Sequence, residues 1–176
     1  ARKSKVKKIV LTSSIGTMVY GHNKVICDHN DWTDISKNVG AYIKSKTIAE
    51  RAAWDFVNSQ SDLLFTLTTI HPGMVFGPLL GNDMEGMSAN LITKMITGKF
   101  PALPDIYFTV VDVRDIAKLH VESIKKKESD HKRIIATSQK GISFLEISKT
   151  LRSLGFQKSP LKLIPNQMIN SLAILN

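Results

Sequence analysis

Short apolar runs alternate along the chain with segments whose apolar residues recur at the helical period. The apolar runs predict strands over 6–12, 63–70, 107–111 and 134–137. The helical period predicts helices over 40–58, 88–98, 112–126 and 143–155. The run "LLFTLTTI" (63–70) is typical of a strand covered on both faces. Strands that alternate with helices favour an α/β fold with a mainly parallel sheet.

Capping residues mark the ends of these predicted helices. Asp112 is placed to cap the helix that follows it, and Ser143 with Glu146 has the spacing of a capping box. Gly98 and Gly155 are placed to end two helices. The prolines and glycines between positions 72 and 81 predict a break in regular structure. The helix over 40–58 is expected to pack through Ile43, Ala49, Ala52, Ala53, Phe56 and Val57.

Candidate chemistry lies in three short pieces, "VLTSS" (10–14), "AYIKSK" (41–46) and "TIHPGMVFGP" (69–78). Tyr42 and Lys46 are four positions apart, so a helix presents both on one face. An ammonium beside a phenol stabilises the phenolate, and such a pair can exchange a proton with an alcohol or carbonyl. Ser13 or Ser14, at the end of a strand, could hold the same oxygen. A lone Tyr-x-x-x-Lys match is also common on solvated helix surfaces, where it has no role.

Longer motifs in the same order carry a family resemblance. They are "KKIVLTSSIGTMVYG", "DHNDWTD", "AYIKSKTIAERAAWDF", "TLTTIHPGMVFGPLL" and "FTVVDVRDIAKLHVESI", which together span residues 6 to about 125. With these motifs the chain resembles the extended short-chain dehydrogenases/reductases, the NAD-dependent epimerase/dehydratase superfamily. Within them it is most similar to the dihydroflavonol-reductase-like branch. The resemblance implies part of a Rossmann-type doubly wound parallel sheet and a small C-terminal α/β substrate-binding region.

The resemblance also implies roles for individual residues. Ser14 matches the residue that polarises the substrate carbonyl, Tyr42 the general acid or base, and Lys46 the residue that assists the tyrosine and binds the nicotinamide ribose. The implied cofactor is NADP or NAD. Its implied contacts are Tyr42, Lys46, Pro72, Gly73, Met74 and Val75, with Ser88 or Asn90 as a further polar contact.

The same resemblance predicts how the chain is divided. Residues 1–78 are expected to be the C-terminal part of the dinucleotide-binding domain, and 79–176 a substrate-binding region from which about 105–125 returns to the Rossmann core. No G-x-G-x-x-G occurs in the 176 residues, although the family places this phosphate loop after its first strand. The chain is therefore expected to be an internal piece, with a separate N-terminal half as a possible partner. Alone it is expected to bind NADPH weakly and to have little or no activity.

Composition excludes some other classes. A single cysteine, Cys27, rules out an internal disulfide and suits the cytoplasm, and no apolar segment is long enough to span a membrane. The net charge of +9 comes from scattered basic residues without interleaved aromatics, so no nucleic-acid partner is expected. His22, Cys27 and His29 match no common zinc spacing, and no metal is expected. His71 is interpreted as a structural histidine rather than a cofactor contact.

Three functions remain open at this point. The first is NAD(P)H-dependent reduction of a small aldehyde or ketone to an alcohol. The second is epimerisation or dehydration of nucleotide sugars, which uses the same Ser-Tyr-Lys set. The third is a non-catalytic remnant that keeps the scaffold without the cofactor. The substrate, the choice between NADP and NAD, and the oligomeric state do not follow from the sequence.

Overall fold

The computed structural model describes residues 4–61, 64–81 and 86–164. The chain forms two compact units, one from Ala1–Gly73 and Val111–Thr137, the other from Met74–Val110 and Ser138–Asn176. The strands are β1 (Lys8–Thr12), β2 (Thr66–Pro72), β3 (Met74–Phe76), β4 (Leu103–Pro104), β5 (Tyr107–Phe108), β6 (Val110–Asp112), β7 (Arg133–Ala136), β8 (Ile142–Ser143) and β9 (Leu163–Ile164). The helices are α1 (Ala41–Asn58), α2 (Met87–Ile96), α3 (Val113–Lys125) and α4 (Phe144–Ser153).

The first unit is built on a parallel sheet with strand order β1-β2-β7. Thr12 pairs with Ile70, and Ile70 in turn pairs with Ile134, so the carboxyl ends of the strands lie at one edge. All of β2 after Thr66 is buried, as predicted for a strand that is covered on both faces. The predicted α/β fold with parallel strands is confirmed, and the first two strands are direct neighbours in the sheet. The predicted start of the second strand, Leu63, lies outside the described residues.

Helix α1 covers this sheet with a face that differs from the predicted one. Ala49 and Ala52 are exposed, and Phe56 is 48% exposed. The buried positions are instead Thr47, Glu50 and Val57. Val57 packs with Phe65 and Leu67 in the core, where partly buried Ile9, Leu11, Ala53 and Trp54 join them. The predicted apolar face was therefore partly wrong, because a polar stripe on α1 faces polar partners on the sheet.

The caps predicted for α3 and α4 are present. Asp112 accepts a hydrogen bond from the backbone N–H of Arg114 at 2.8 Å. Ser143 and Glu146 exchange side-chain to backbone hydrogen bonds at 3.1 and 2.7 Å, which is the reciprocal pattern of a capping box. These ends follow from a few neighbouring residues, so local sequence was sufficient to place them.

The second unit has a separate apolar core around Met95, Leu103 and Ile147. Strands β4 and β9 pair in parallel and β5 with β8 antiparallel. The Phe108 and Phe144 rings meet edge to face with centroids 4.9 Å apart. The predicted break after residue 72 is wrong in one detail, since β3 forms within it and the Met74 N–H donates to the Thr109 carbonyl at 2.8 Å.

Helix length and hydropathy bear on membrane association. Among the described residues, no helix combines the length and the apolar character that crossing a bilayer requires.

Candidate active site

The two serines at the end of β1 have different surroundings. Ser13 is buried, and its hydroxyl donates to Glu50 Oε2 at 2.5 Å. Ser14 is half-buried and caps a single 3₁₀ turn, Ile15–Thr17, where its Oγ accepts from the Gly16 N–H at 3.1 Å. An accepting Oγ still has its own proton to donate. Of the two, only Ser14 therefore has a hydroxyl proton that can serve a substrate oxygen.

Tyr42 and Lys46 lie in the first turns of α1. This helix begins after Gly40, whose φ of 80° is a conformation that favours glycine. Tyr42 is 48% exposed and Lys46 is half-buried. Neither side chain has a hydrogen-bond partner among the described residues. Both polar groups are thus available on one face of the helix, as the four-residue spacing predicts.

The 3₁₀ turn and the two serines before it, residues 13–17, are called the serine turn. This turn packs closely against the start of α1. A β-carbon built on Gly16 would lie only 2.4 Å from Cδ1 of Ile43, the residue that follows Tyr42. Only a glycine allows the turn and the helix to approach this closely without a shift. The structure therefore brings the Ser14 turn into contact with the Tyr42–Lys46 segment.

Glu50, a buried residue of α1, links this helix to the serine turn in the interior of the first unit. Its carboxylate is 1% exposed. Oε2 lies 2.8 Å from Thr17 Oγ1 and also accepts from Ser13, so one oxygen holds the serine turn. Oε1 accepts from His71 Nε2 at 2.7 Å and from Arg133 Nε at 2.8 Å, so the other oxygen holds β2 and β7. The carboxylate thereby ties α1 to three neighbouring segments.

The charge of Glu50 is maintained by these partners. Burial raises the pKa of the Glu50 carboxyl, but hydrogen bonds from His71, Arg133 and Ser13 outweigh burial and hold the pKa well below its usual range. Glu50 is therefore ionised at neutral pH. The Arg133 guanidinium, whose side chain is 10% exposed, neutralises it.

Arg133 also fixes the loop that precedes α1. Its Nη1 donates to the carbonyls of His29 and Asp31, both at 2.7 Å. Its guanidinium carbon lies 3.8 Å from the centre of the Trp32 ring, a cation–π contact. The buried Glu50–Arg133 ion pair therefore contacts the loop at 29–32 and the serine turn, and it holds both against α1, the helix that carries Tyr42 and Lys46.

Sequence reasoning missed Glu50, and a partial signal for it existed. Glu50 continues the row of Tyr42 and Lys46 at the same four-residue spacing. Its burial could not be read from that row, because its main partner, Arg133, is 83 residues away. His71, by contrast, is fully buried with Nε2 bonded to Glu50, which confirms its interpretation as a structural histidine.

The predicted cofactor turn uses part of its backbone within the protein. Pro72 has no N–H group, and the Gly73 N–H donates to the Ala136 carbonyl at 3.2 Å. The Met74 N–H is occupied by the Thr109 carbonyl. At these three positions a carboxamide could be bound only through carbonyl oxygens, which accept from its NH₂ group.

Val75 and Ser88 line a cavity of about 430 Å³ in the second unit. Its walls are mainly apolar and include Phe76, Ile92 and Ile147. Asn90 does not line it: this residue is exposed on α2, and its N–H donates to the Gly86 carbonyl at 2.9 Å. Of the two alternatives for a further polar contact, the structure therefore brings Ser88, and not Asn90, to the cavity that Val75 lines.

The polar loop before α1 has its own contacts. His22 Nε2 lies 2.7 Å from the Met18 carbonyl, and Lys24 pairs with Asp31. In the part of the chain that the structure describes, no three His, Cys, Asp or Glu side chains converge to hold a metal ion.

Several known proteins are similar to this chain in sequence. Residues 1–136 match the NAD-dependent epimerase/dehydratase family. Cinnamoyl-CoA reductase CAD2 of Medicago truncatula is 31% identical over 161 residues, which cover 88% of this chain and 47% of that protein. The NADPH-dependent methylglyoxal reductase GRE2 of Saccharomyces cerevisiae is 30% identical over 148 residues, covering 75% and 43% respectively.

Solved structures agree with the sequence matches. Yeast methylglyoxal/isovaleraldehyde reductase Gre2 complexed with NADPH is similar at a TM-score of 0.77 and 26% identity, over 89% of this chain and 51% of that one. The chain spans less than half the length of the curated relatives it matches. Since the family match covers most of the sequence, the chain belongs to the NAD-dependent epimerase/dehydratase family, as its motifs predict.

Proposed function

We propose that the protein reduces an aldehyde or ketone to an alcohol with NADPH, using Ser14, Tyr42 and Lys46. The observation that carries the proposal is the packing of the Ser14 turn against the first turn of α1, where the Tyr42 and Lys46 polar groups have no hydrogen-bond partner within residues 4–61, 64–81 and 86–164. The relatives described as cinnamoyl-CoA and methylglyoxal reductases support carbonyl reduction over nucleotide-sugar chemistry.

Ser14, Tyr42 and Lys46 have different tasks in this proposal. The Ser14 hydroxyl donates a hydrogen bond to the carbonyl oxygen and polarises it, and Tyr42 transfers its proton to the same oxygen. The Lys46 ammonium stabilises the resulting phenolate and binds the nicotinamide ribose. NADPH, when bound, supplies the hydride that completes the alcohol.

The residues present fit the nicotinamide end of this cofactor. In the first unit, carbonyl oxygens at 72 and 73 would accept from the carboxamide, since the Gly73 N–H is already bonded to the Ala136 carbonyl. In the second unit, Val75 and Ser88 line an apolar cavity. The proposal also requires a glycine-rich phosphate loop, which these 176 residues do not contain and which a further segment of the gene product or a separate N-terminal half would supply. A cytoplasmic location belongs to the proposal too, supported by the unpaired thiol of Cys27.

The test is NADPH consumption by the full gene product with a panel of aldehydes and ketones, followed by Tyr42→Phe. We expect kcat to fall about 10²–10⁴-fold, because the phenyl ring remains but the proton donor is lost. Tyr107→Phe, at an exposed tyrosine on β5, is the control and should keep full turnover. Near-full turnover of Tyr42→Phe would contradict the assignment. Conversion of nucleotide sugars without net NADPH consumption would favour the epimerase alternative instead.

A further inference from the structure

We propose that Glu50 is a positioning residue for this reaction, which sets the location of the Ser14 turn relative to Tyr42 and Lys46. This inference rests on the proposed function. Glu50 itself is not placed to touch substrate, because its carboxylate is buried and both oxygens are occupied by protein donors. It acts through the elements that it holds.

The two carboxylate oxygens address different parts of the site. Oε2 is bonded to Ser13, the residue directly before Ser14. Thr17 Oγ1 lies 2.8 Å from Oε2 and 2.9 Å from the Ser14 carbonyl, so the same contact restrains both ends of the serine turn. Oε1 is bonded to His71 on β2 and Arg133 on β7, which form part of the rigid sheet. The serine turn and α1 are thus fixed on a common frame.

Glu50 is close enough along α1 to control the catalytic candidates. At a rise of about 1.5 Å per residue, Lys46 and Tyr42 lie about 6 and 12 Å along the helix axis from it. A rigid helix transmits any slide or rotation at Glu50 to both side chains. A misplacement of about 1 Å can cost about 10²-fold in rate. A small displacement of Glu50 should therefore change the positions of Tyr42 and Lys46 enough to lower kcat strongly.

A buried ion pair usually adds little to the free energy of unfolding. Well-packed apolar residues of similar volume often stabilise as well or better, whereas paired charges demand one geometry. The Glu50–Arg133 pair brings together α1, the serine turn, two strands and the loop at 29–32. That directional set of contacts specifies position, which an apolar cluster would not do as strictly.

The test compares Glu50→Gln with Glu122→Gln in the full gene product. Glu122 is a solvent-accessible glutamate on α3 that pairs with Lys125 and Lys126, so it controls for the loss of one carboxylate. The measurements are kcat and KM per folded molecule, NADPH affinity, and the primary isotope effect with deuterated NADPH. For Glu50→Gln we expect kcat to fall about 10–100-fold, with a larger isotope effect and little change in NADPH affinity. Glu122→Gln should match the wild type.

A second pair keeps the test decisive if Glu50→Gln does not fold. Thr17→Val removes one hydroxyl from the carboxylate and keeps the side-chain shape, while Thr17→Ser keeps the hydroxyl. We expect Thr17→Val to lower kcat and raise the isotope effect, and Thr17→Ser to restore both. A purely structural role predicts fewer folded molecules with an unchanged isotope effect, and that result would overturn the positioning role alone. A wild-type protein that reduces no carbonyl would overturn the proposed function and this inference with it.

Discussion

Ser13 and Ser14 are neighbours whose hydroxyls serve different ends. Ser13→Ala removes a donor from the buried Glu50 carboxylate, so we expect the free energy of unfolding to fall by about 1.5–3 kcal/mol. Ser14→Ala removes the group proposed to polarise the substrate, so kcat should fall about 10²-fold with little change in stability. Denaturant titration and steady-state kinetics on both variants test this. A larger stability loss in Ser14→Ala than in Ser13→Ala would contradict it.

Gly16 is the contact point between the serine turn and α1. In Gly16→Ala the new methyl group would meet Ile43 Cδ1 at 2.4 Å, so the Ile43 side chain must move or the turn and the helix must separate, and we expect kcat to fall by about 10-fold. Adding Ile43→Val deletes that methyl group and should recover much of the activity. Gly81→Ala, where no atom lies within 4 Å, is the control. Kinetics of the single and double variants decide the matter, and no recovery in the double variant would refute the packing argument.

The residues of the site differ in how far sequence could predict them. Ser14, Tyr42 and Lys46 stand in contiguous motifs, so short words and the helical period were enough to select them. Glu50 stands in one of the same words, but its importance depends on Arg133 and His71, which local sequence does not connect with it. Roles set by distant partners are what a single sequence leaves open.

The N-terminus of helix α4 is fixed by the capping box of Ser143 and Glu146. Removal of its cap in Ser143→Ala should lower the free energy of unfolding by about 0.5–2 kcal/mol, since the hydroxyl that accepts from the Glu146 N–H is lost while the backbone N–H at 143 can still donate to Glu146. Ser153→Ala, at an exposed serine in the last turn of α4, should stay within about 0.5 kcal/mol of the wild type. Thermal or denaturant unfolding measures both. Equal effects of the two substitutions would contradict the capping role.

Helix ends and strands that depend on neighbouring residues were predicted well. The buried face of α1, which depends on contacts with distant residues, was not. The start of α3 and α4 follows from caps, and the existence of strands β1 and β2 from their runs of apolar and β-branched residues. The buried face of α1 was mispredicted because apolar residues were assumed to face inward. In α1 the sheet offers His71 and Thr69 to the helix, so a glutamate is buried while Phe56 remains exposed.

For the whole molecule, carboxylates with lowered pKa values set the response to acid. Hydrogen bonds from Arg114 hold the pKa of Asp112 at about 2, and Asp130 beside Lys8 and Glu50 beside His71 and Arg133 also have lowered pKa values. A carboxyl whose pKa is lower in the folded state contributes stability that is present above its unfolded pKa and is lost on acidification. Stability should therefore fall as the pH drops from about 4.5 towards 2.

Glu50→Gln should make this acid dependence shallower, because one protonation linked to folding is removed. Glu122→Gln, at the ion-paired glutamate on α3 that serves as the control above, should keep the wild-type slope. Denaturant unfolding at a series of pH values between about 2 and 7 measures both slopes. An unchanged slope in Glu50→Gln would contradict this prediction, because it would show that the pKa of the Glu50 carboxyl is the same in the folded and the unfolded protein.

The Glu50–Arg133 pair also has a consequence for the order of events during synthesis. The two residues are 83 positions apart, and the second compact unit takes up part of the chain between them. At about 5–20 residues per second, Arg133 is made roughly 4–17 s after Glu50. Until then α1 carries a carboxylate without its counter-ion, and β7 does not exist to complete the sheet. The nascent helix α1 can contact Ser13, Thr17 and His71 before then, but its buried carboxylate obtains its counter-ion, and the sheet its third strand, only when β7 emerges.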